Sequence, residues 1–166
     1  MGRMFIDIPL LTSIDISHFD THNVINMGQM FSFCSSLKTI NVSNFDTRNV
    51  TNMDSMFFFC SSLVEIDVSN FNTSKVGNMK TMFTNCKALR EIDLSNFDTR
   101  SLGLFDFILG ECNNLHRIDI SNFNVDYNKI IINGLISDKG VVIVNEYSEN
   151  TIKEQVPNNW IVLVKK

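Results

Sequence analysis

The chain lacks any apolar run that approaches the roughly 20 residues of a membrane-spanning helix. Residues 1–10 also lack the charged segment, apolar stretch and small-residue cleavage site of a signal peptide. The 166 residues carry a net charge of −4 and are 44% hydrophobic, without a basic patch. This composition excludes a disordered chain and a nucleic-acid binder that acts through bulk electrostatics. We therefore expect a folded domain with no membrane span, no export signal of its own and no nucleic-acid partner.

Signatures of catalysis are also missing. The seven glycines form no phosphate-binding loop, and His18, His22 and His116 share no position in the repeat described below. Lone carboxylates recur at fixed intervals, which indicates a ladder rather than an acid–base pair. The four cysteines show no C-x-x-C spacing and no histidine partner, which argues against a metal site. We predict a protein that is not an enzyme and that holds no cofactor or metal.

What the sequence does contain is a period of 26 residues, marked by Cys34, Cys60, Cys86 and Cys112. A period of this length is typical of stacked repeats, in which each unit buries its apolar face only against its neighbours. Function is therefore expected on a surface rather than in an apolar pocket. Four further columns each hold one residue type: Leu11, Leu37, Leu63, Leu89 and Leu115; Ile14, Ile40, Ile66, Ile92 and Ile118; Phe19, Phe45, Phe71, Phe97 and Phe123; Ser17, Ser43, Ser69, Ser95 and Ser121.

Each unit begins with a pattern typical of a strand. Within 38–43, apolar Ile40 and Val42 alternate with polar residues, as expected for one buried face. The pattern predicts one parallel sheet, with the four cysteines buried and unpaired as small apolar groups. The expected strands are 13–16, 39–42, 65–68, 91–94 and 117–120.

The second half of each unit has helical spacing. Apolar residues recur at intervals of three and four, which predicts a short helix of about ten residues. In one unit these residues are Val50, Met53, Met56, Phe57 and Cys60. Asn26, Asn52 and Asn78 are the predicted N-caps. The fold class is therefore expected to be α/β, a right-handed solenoid of strand-turn-helix units with parallel strands on one side.

The repeated L-x-x-I-x-[IVL] core is the strand pattern of leucine-rich repeats. The whole unit, C-x-x-L-x-x-I-D-[IVL]-S-x-F-D-T-x-x-V-x-x-M-x-x-M-F, resembles the repeat of the BspA-like leucine-rich-repeat proteins over residues 1 to about 125. It is most similar to the form abundant in mycoplasma-type and other bacterial surface lipoproteins. The resemblance implies a curved solenoid with its parallel sheet on the concave face and an association with cell surfaces and adhesion.

The two ends of the array differ from its middle. Residues 1–5 match 27–31 at four of five positions, so the chain begins mid-repeat, either as a minimal cap or as a fragment of a longer array. Met1, Met4 and Phe5 occupy core columns with no preceding repeat, which predicts an exposed apolar patch and end-to-end self-association.

The last segment is expected to be a degenerate repeat and C-terminal cap over 126–166, following repeats over 1–125. Strands are predicted at 141–144 and 161–164, with a capping box at Thr151-x-x-Glu154 on a short helix between them. Trp160, the only tryptophan, is expected to cover the last repeat.

The exposed face of the sheet is the candidate binding site. Asp15, Asn41, Asp67, Asp93 and Asp119 form a column with steps of about 4.8 Å. Glu65 and Glu91 lie beside it, and Ser43, Ser69 and Ser95 belong to the serine column on the other side. Opposed carboxylates repel by roughly 0.2–1 kcal/mol per pair. Two explanations stay open: the aspartates keep the sheet in water and bond their serine neighbours, or they bind a basic or hydroxyl-rich partner or a divalent cation.

Two functional classes follow. One is an adhesion or protein-interaction module of a bacterial surface or secreted protein, which binds a protein or glycan through the concave strand face, as the resemblance implies. The other is an intracellular scaffold or interaction protein, which fits the absent export signal and reduced cysteines. The parent protein is accordingly expected at the cell surface or outside the cell, or alternatively in the cytoplasm.

Overall fold

The computed structural model describes residues 1–125 and 129–165. They wind as a parallel-strand β-solenoid in which the 26-residue period is the length of one coil. The described elements are β1 (Glu91–Asp93), β2 (Leu109–Gly110), β3 (Arg117–Asp119), β4 (Ile132–Asn133), β5 (Val141–Val144), α1 (Glu149–Lys153) and β6 (Ile161–Val164). One sheet has the order β1-β3-β5-β6, and β2 pairs with β4, all in parallel.

The predicted strands are confirmed at the C-terminal half of the array. β1 and β3 lie within the expected 91–94 and 117–120, and β5 and β6 span the expected 141–144 and 161–164. The segments 13–16, 39–42 and 65–68 are not assigned as strands, although Ile40 and Val42 are buried between exposed neighbours. Direct backbone bonds still join these coils, such as Val64 N–H to Lys38 C=O at 3.0 Å.

The predicted helices after each strand are wrong. Residues 27–34, 53–60 and 79–86 instead form what we call turn ribbons. In the first, the N–H groups of Gln29 and Phe31 donate to Asp54 and Met56 of the next coil, at 2.7 and 2.9 Å. The N–H groups of the alternate residues donate instead to the C=O group three residues earlier in the same coil. A helix cannot form because every second N–H donates its hydrogen bond to the neighbouring coil, whereas in a helix each N–H donates to a C=O group of the same segment.

Left-handed residues make this alternation possible. Each turn ribbon has two residues at positive φ, such as Ser55 at 53° and Phe59 at 61°. The predicted N-caps are wrong for the same reason, since no helix follows them. Asn26, Asn52 and Asn78 nevertheless accept a local bond, because each Oδ1 receives the N–H two residues on, at 2.7, 2.9 and 3.0 Å.

The core lies inside the stack and is built from the apolar columns. Cys34, Cys60, Cys86 and Cys112 are buried and unpaired, as predicted. The phenylalanines of the turn ribbons stack along the axis, with ring centroids of Phe31 and Phe57 5.6 Å apart and those of Phe57 and Phe83 5.4 Å apart. Such contacts between successive coils are the source of stability expected for a stacked repeat.

Two polar ladders join the coils at the turn after the strand. Thr47 Oγ1 donates to Asn72 C=O at 3.1 Å and accepts Asn72 N–H at 2.7 Å. Asn70 Nδ2 bonds the carbonyls of Val42 and Phe45 in the preceding coil at 3.1 and 3.0 Å. The threonine ladder consists of Thr21, Thr47, Thr73 and Thr99, and the asparagine ladder of Asn44, Asn70, Asn96 and Asn122.

The N-terminal coil stacks on the next one through Phe5 N–H, which donates to Met30 C=O at 2.9 Å. Its apolar side chains are only partly covered, as predicted: Met1 is 38% and Met4 51% exposed. Among the described residues, no helix is long and apolar enough to cross a membrane.

At the other end, the predicted cap is described except for 126–128 and Lys166, which lie outside the described residues. Trp160 is buried against Gly140, as expected for a covering residue. The predicted capping box is wrong, because Thr151 lies inside α1 and the N-cap residue is Ser148. The Ser148 hydroxyl donates to Phe123 C=O at 2.7 Å and accepts Val125 N–H at 2.9 Å, so it joins coils instead of capping the helix.

Candidate functional site

A groove of about 810 Å³ runs across the strand face of the stack. We call it the strand-face groove. Its polar lining consists of Thr39, Asn41, Glu65, Asp67, Ser69, Arg90, Glu91, Asp93, Ser95, Asn96, Arg117 and Asp119. The groove therefore collects most of the residues that the sequence selected on this face. Asp15 and Ser43, which were also selected, do not line it.

The parallel register places these side chains. Glu91 pairs with Arg117 and Asp93 with Asp119 across β1 and β3. Because side chains alternate along a strand, Ile92 and Ile118 point into the core while their neighbours face the groove. Each column read from the sequence is therefore a row of side chains that runs across the sheet, with one side chain from each successive strand.

Each aspartate of the column closes a local turn. Asp67 Oδ1 accepts Ser69 N–H at 2.9 Å, and Asp93 Oδ1 accepts Ser95 N–H at 2.9 Å. The bond from the Ser69 backbone holds the pKa of Asp67 below its usual range, and Ser17 does the same for the pKa of Asp15. Asn41 Oδ1 accepts Ser43 N–H at 3.0 Å in the same way. The turn therefore needs a side-chain oxygen but no negative charge.

Asp119 departs from the prediction that the whole column is exposed. It is only 8% exposed, while Asp15, Asn41, Asp67 and Asp93 are exposed. The reason is the cap, because β5 pairs with β3 and brings Ile143 beside Asp119. In the next strand Leu163 continues this column. The acidic row thus ends in apolar residues at the C-terminal side.

The groove also contains positive charge, from Arg117 in the column of Glu65 and Glu91 and from Arg90, which the sequence columns did not reveal. Arg90 and Arg117 line it, yet within residues 1–125 and 129–165 neither guanidinium lies within 4.0 Å of a carboxylate. His116 Nε2 lies 3.5 Å from Glu91 Oε1. Arg90 shares its repeat position with Lys38, Val64 and His116, so the period gave no signal there. The lining is predominantly acidic, with five carboxylates and two guanidiniums.

The cysteines lie away from this chemistry. Each Sγ donates to a backbone carbonyl of the preceding coil, as Cys60 does to Phe31 at 3.1 Å and Cys112 to Phe83 at 3.0 Å. Burial raises the pKa of Cys112 to about 12 and that of Cys86 well above its usual value. These thiols are therefore protonated packing groups at neutral pH. Across the described ranges, no three His, Cys, Asp or Glu side chains are grouped as a metal ion requires.

Parallel coils around one continuous core, with a groove across the strand face, define a solenoid repeat protein. The chain belongs to the family described as "Mycoplasma protein of unknown function, DUF285", whose family model matches residues 1–123. This family is also found in BspA-like repeat proteins, which agrees with the resemblance at the level of the repeat. Comparisons with the curated proteins and with the solved structures find no match.

Proposed function

We propose that the chain is a non-enzymatic binding module whose strand-face groove holds a basic or hydroxyl-rich segment of a protein or glycan. The observation that carries this proposal is the convergence of five carboxylates on one groove of about 810 Å³. Four of them are exposed and come from two successive coils, so a ligand that follows the groove meets the same pair of carboxylates twice: Glu65 with Asp67, then Glu91 with Asp93.

The acidic side chains have capacity left for a ligand. Asp67 and Asp93 each use Oδ1 for the local turn, and in the described part of the chain their Oδ2 atoms accept no hydrogen bond. An ionised carboxylate has roughly four acceptor positions on its two oxygens. Arg90 and Arg117 supply donors in the same groove. A ligand with ammonium groups or hydroxyls can therefore be bonded by both kinds of side chain.

The resemblance to BspA-like repeats supports a place for this module at the bacterial cell surface or in a secreted protein, with a role in adhesion. The alternative is an intracellular scaffold that uses the same groove. The coding sequence upstream of Met1 distinguishes them. Further repeats behind a lipid-attachment signal would support the surface protein, whereas an in-frame stop codon directly upstream of Met1 would support the scaffold.

The charge can be tested without disturbing the turn. In the double variant Asp67→Asn/Asp93→Asn, each new amide oxygen can accept the serine N–H, as Asn41 already does. A labelled oligolysine peptide and a neutral oligosaccharide panel serve as probes of the basic and hydroxyl-rich ligands. We expect binding of the basic probe to weaken by roughly twofold to thirtyfold, since two exposed ion pairs are lost and each contributes roughly 0.2–1 kcal/mol. The melting temperature should not fall.

Salt and a second variant complete this test. Binding of the basic probe should weaken as ionic strength rises, because exposed charges are screened beyond about 10 Å at 0.1 M salt. The matched variant Asp67→Ala/Asp93→Ala removes the acceptor as well and should lower the melting temperature. A glycan that binds the wild type and is lost in both variants would assign the groove to hydroxyl-rich ligands. Affinity for every probe that is unchanged in the Asn variant would refute the proposal.

A further inference from the structure

Three phenylalanines form a patch on the surface of the turn ribbons, outside the strand-face groove. We call Phe33, Phe58 and Phe59 the aromatic patch. The Phe33 ring lies 5.2 Å from Phe58 and 5.5 Å from Phe59 between centroids. Phe33 is 41% exposed, and the other two are half-buried. These residues contribute aromatic surface to solvent and are not part of the buried core cluster.

The patch is a local addition to the repeat. The position of Phe33 and Phe59 is held by Asp7, Asn85 and Glu111 in the other coils, all at positive φ between 55° and 63°. Asparagine and aspartate tolerate this conformation, whereas a bulky side chain is uncommon there. The N–H of Asn85 donates to the next coil at 2.8 Å, and that of Phe59 does so at 2.9 Å. The backbone therefore does not require phenylalanine at this position.

A positive charge borders the patch. Lys87 Nζ lies 5.9 Å from the centroid of the Phe59 ring. Within residues 1–125 and 129–165, no carboxylate lies within 4.0 Å of this ammonium group. The patch thus combines partly exposed aromatic rings with a cation beside Phe59, while the exposed carboxylate of Asp7 lies in the coil next to Phe33 at the far end. Lys87 shares its column with Ser35, Ser61 and Asn113, so the charge is also specific to this place.

We infer that the aromatic patch is a second interaction surface, which binds a protein segment carrying an apolar or aromatic side chain next to carboxylates. The aromatic rings bury the apolar side chain, and Lys87 pairs with the acidic group. Aromatic anchors are the side chains that most often dominate protein interfaces. The charge preference is opposite to that of the strand-face groove, so the two surfaces select different partners.

The shape of the patch favours a protein segment over a membrane. Residues that insert into a bilayer interface project their apolar side chains as one amphipathic face, usually with several cations. Here two of the three rings are half-buried, and one lysine borders them. The surface is therefore shallow and suits contact with one or two side chains of a partner.

The experiment measures the anisotropy of two labelled peptides in the presence of the whole chain. One peptide alternates phenylalanine with glutamate, and its matched control alternates phenylalanine with uncharged glutamine, because a lysine peptide is also expected to bind the strand-face groove. We expect the acidic peptide to bind more tightly. The variant Phe33→Asn/Phe59→Asn, which copies Asn85, should weaken that binding by about tenfold or more while the melting temperature stays equal or rises. The control Leu104→Asn removes another exposed apolar side chain and should leave the affinity unchanged.

Reversing the charge provides a measurement that does not alter the rings. Lys87→Glu should abolish the preference, so that the glutamate peptide binds no more tightly than the glutamine peptide. Equal binding of both peptides to the wild type, or no binding of either, would overturn the inference. Phosphatidylserine-containing vesicles that bind the wild type but not the double Phe variant, with neither peptide bound, would assign the patch to membranes and equally overturn it.

Discussion

At the scale of single residues, a short side-chain oxygen repeatedly accepts the backbone N–H two residues on, as in Asn52, Asp67 and Asp98. Asp98 is the most strongly held example, because Arg100 adds its side chain to the same carboxylate. Asp98 Oδ1 accepts Arg100 N–H at 3.0 Å, and Arg100 Nη2 donates to Oδ2 at 2.6 Å. The Arg100 side chain, followed by its backbone N–H, lowers the pKa of Asp98 to about 2.

This shift predicts a pH dependence with a defined sign. A carboxyl whose pKa is lowered by folding contributes stability above its usual value of 3.8, and loses it as the pH falls toward about 2. Arg100→Ala should raise the pKa of Asp98 and reduce the stability lost in this window. NMR titration of the carboxyl carbon measures the pKa directly. Arg48→Ala, which changes the equivalent pair with Asp46, is the control and should leave Asp98 unaffected.

At the scale of elements, the threonine ladder joins successive coils through buried hydroxyls. Thr73 is 1% exposed, and its Oγ1 donates to Asp98 C=O at 3.2 Å while it accepts Asp98 N–H at 2.7 Å. Thr73→Val keeps the shape but removes both bonds. We expect the free energy of unfolding to fall by about 1–3 kcal/mol, the cost of unpaired buried polar groups.

The control for this prediction is Thr39→Val on the exposed strand face. Thr39 makes no side-chain hydrogen bond within the described part of the chain and should tolerate valine without loss. Chemical denaturation of both variants provides the comparison. A Thr73→Val protein as stable as the wild type would show that the hydroxyl ladder does not hold the coils together.

The period predicted the columns, and the columns predicted the buried cysteines and the strands β1 and β3 correctly. The turn ribbons could not be predicted from spacing alone, because apolar intervals of three and four occur in a helix and also in a ribbon that turns every few residues. No glycine marks the positive φ of Gln29, Ser55 or Thr81, so the usual turn signal is missing. The sequence shows the threonines of the ladder as a column, but it gives no sign that their side chains are buried.

The sequence likewise predicted only part of the candidate site. The column pattern placed Asp67, Asp93, Glu65 and Glu91 on one face, and all four line the strand-face groove. Arg90 was missed because its column varies between coils. Asp119 was expected to be exposed, like the rest of its column. It is buried because Ile143 of the cap pairs beside it, and this pairing lies beyond the regular repeat, so the columns could not predict it.

At the scale of the whole molecule, the first coil has partly covered apolar side chains. Met1 and Met4 occupy core columns and remain 38% and 51% exposed. We predict that this end promotes association of the chain with itself. Met4→Ser should lower the average mass measured by light scattering at high concentration. A wild type that stays monomeric, with protected amide protons in residues 1–10, would contradict this prediction.

The hydrogen bonds between coils also determine how the molecule responds to force. Residues 1–8 and β6 lie at opposite ends of the stack, and the bonds between coils run from one coil to the next. A force applied to the two termini therefore breaks these hydrogen bonds one coil at a time, instead of breaking many of them simultaneously. Each coil of 26 residues releases about 90 Å of chain at roughly 3.5 Å per residue. Under tension the 26-residue coils should therefore unfold in regular, low-force steps.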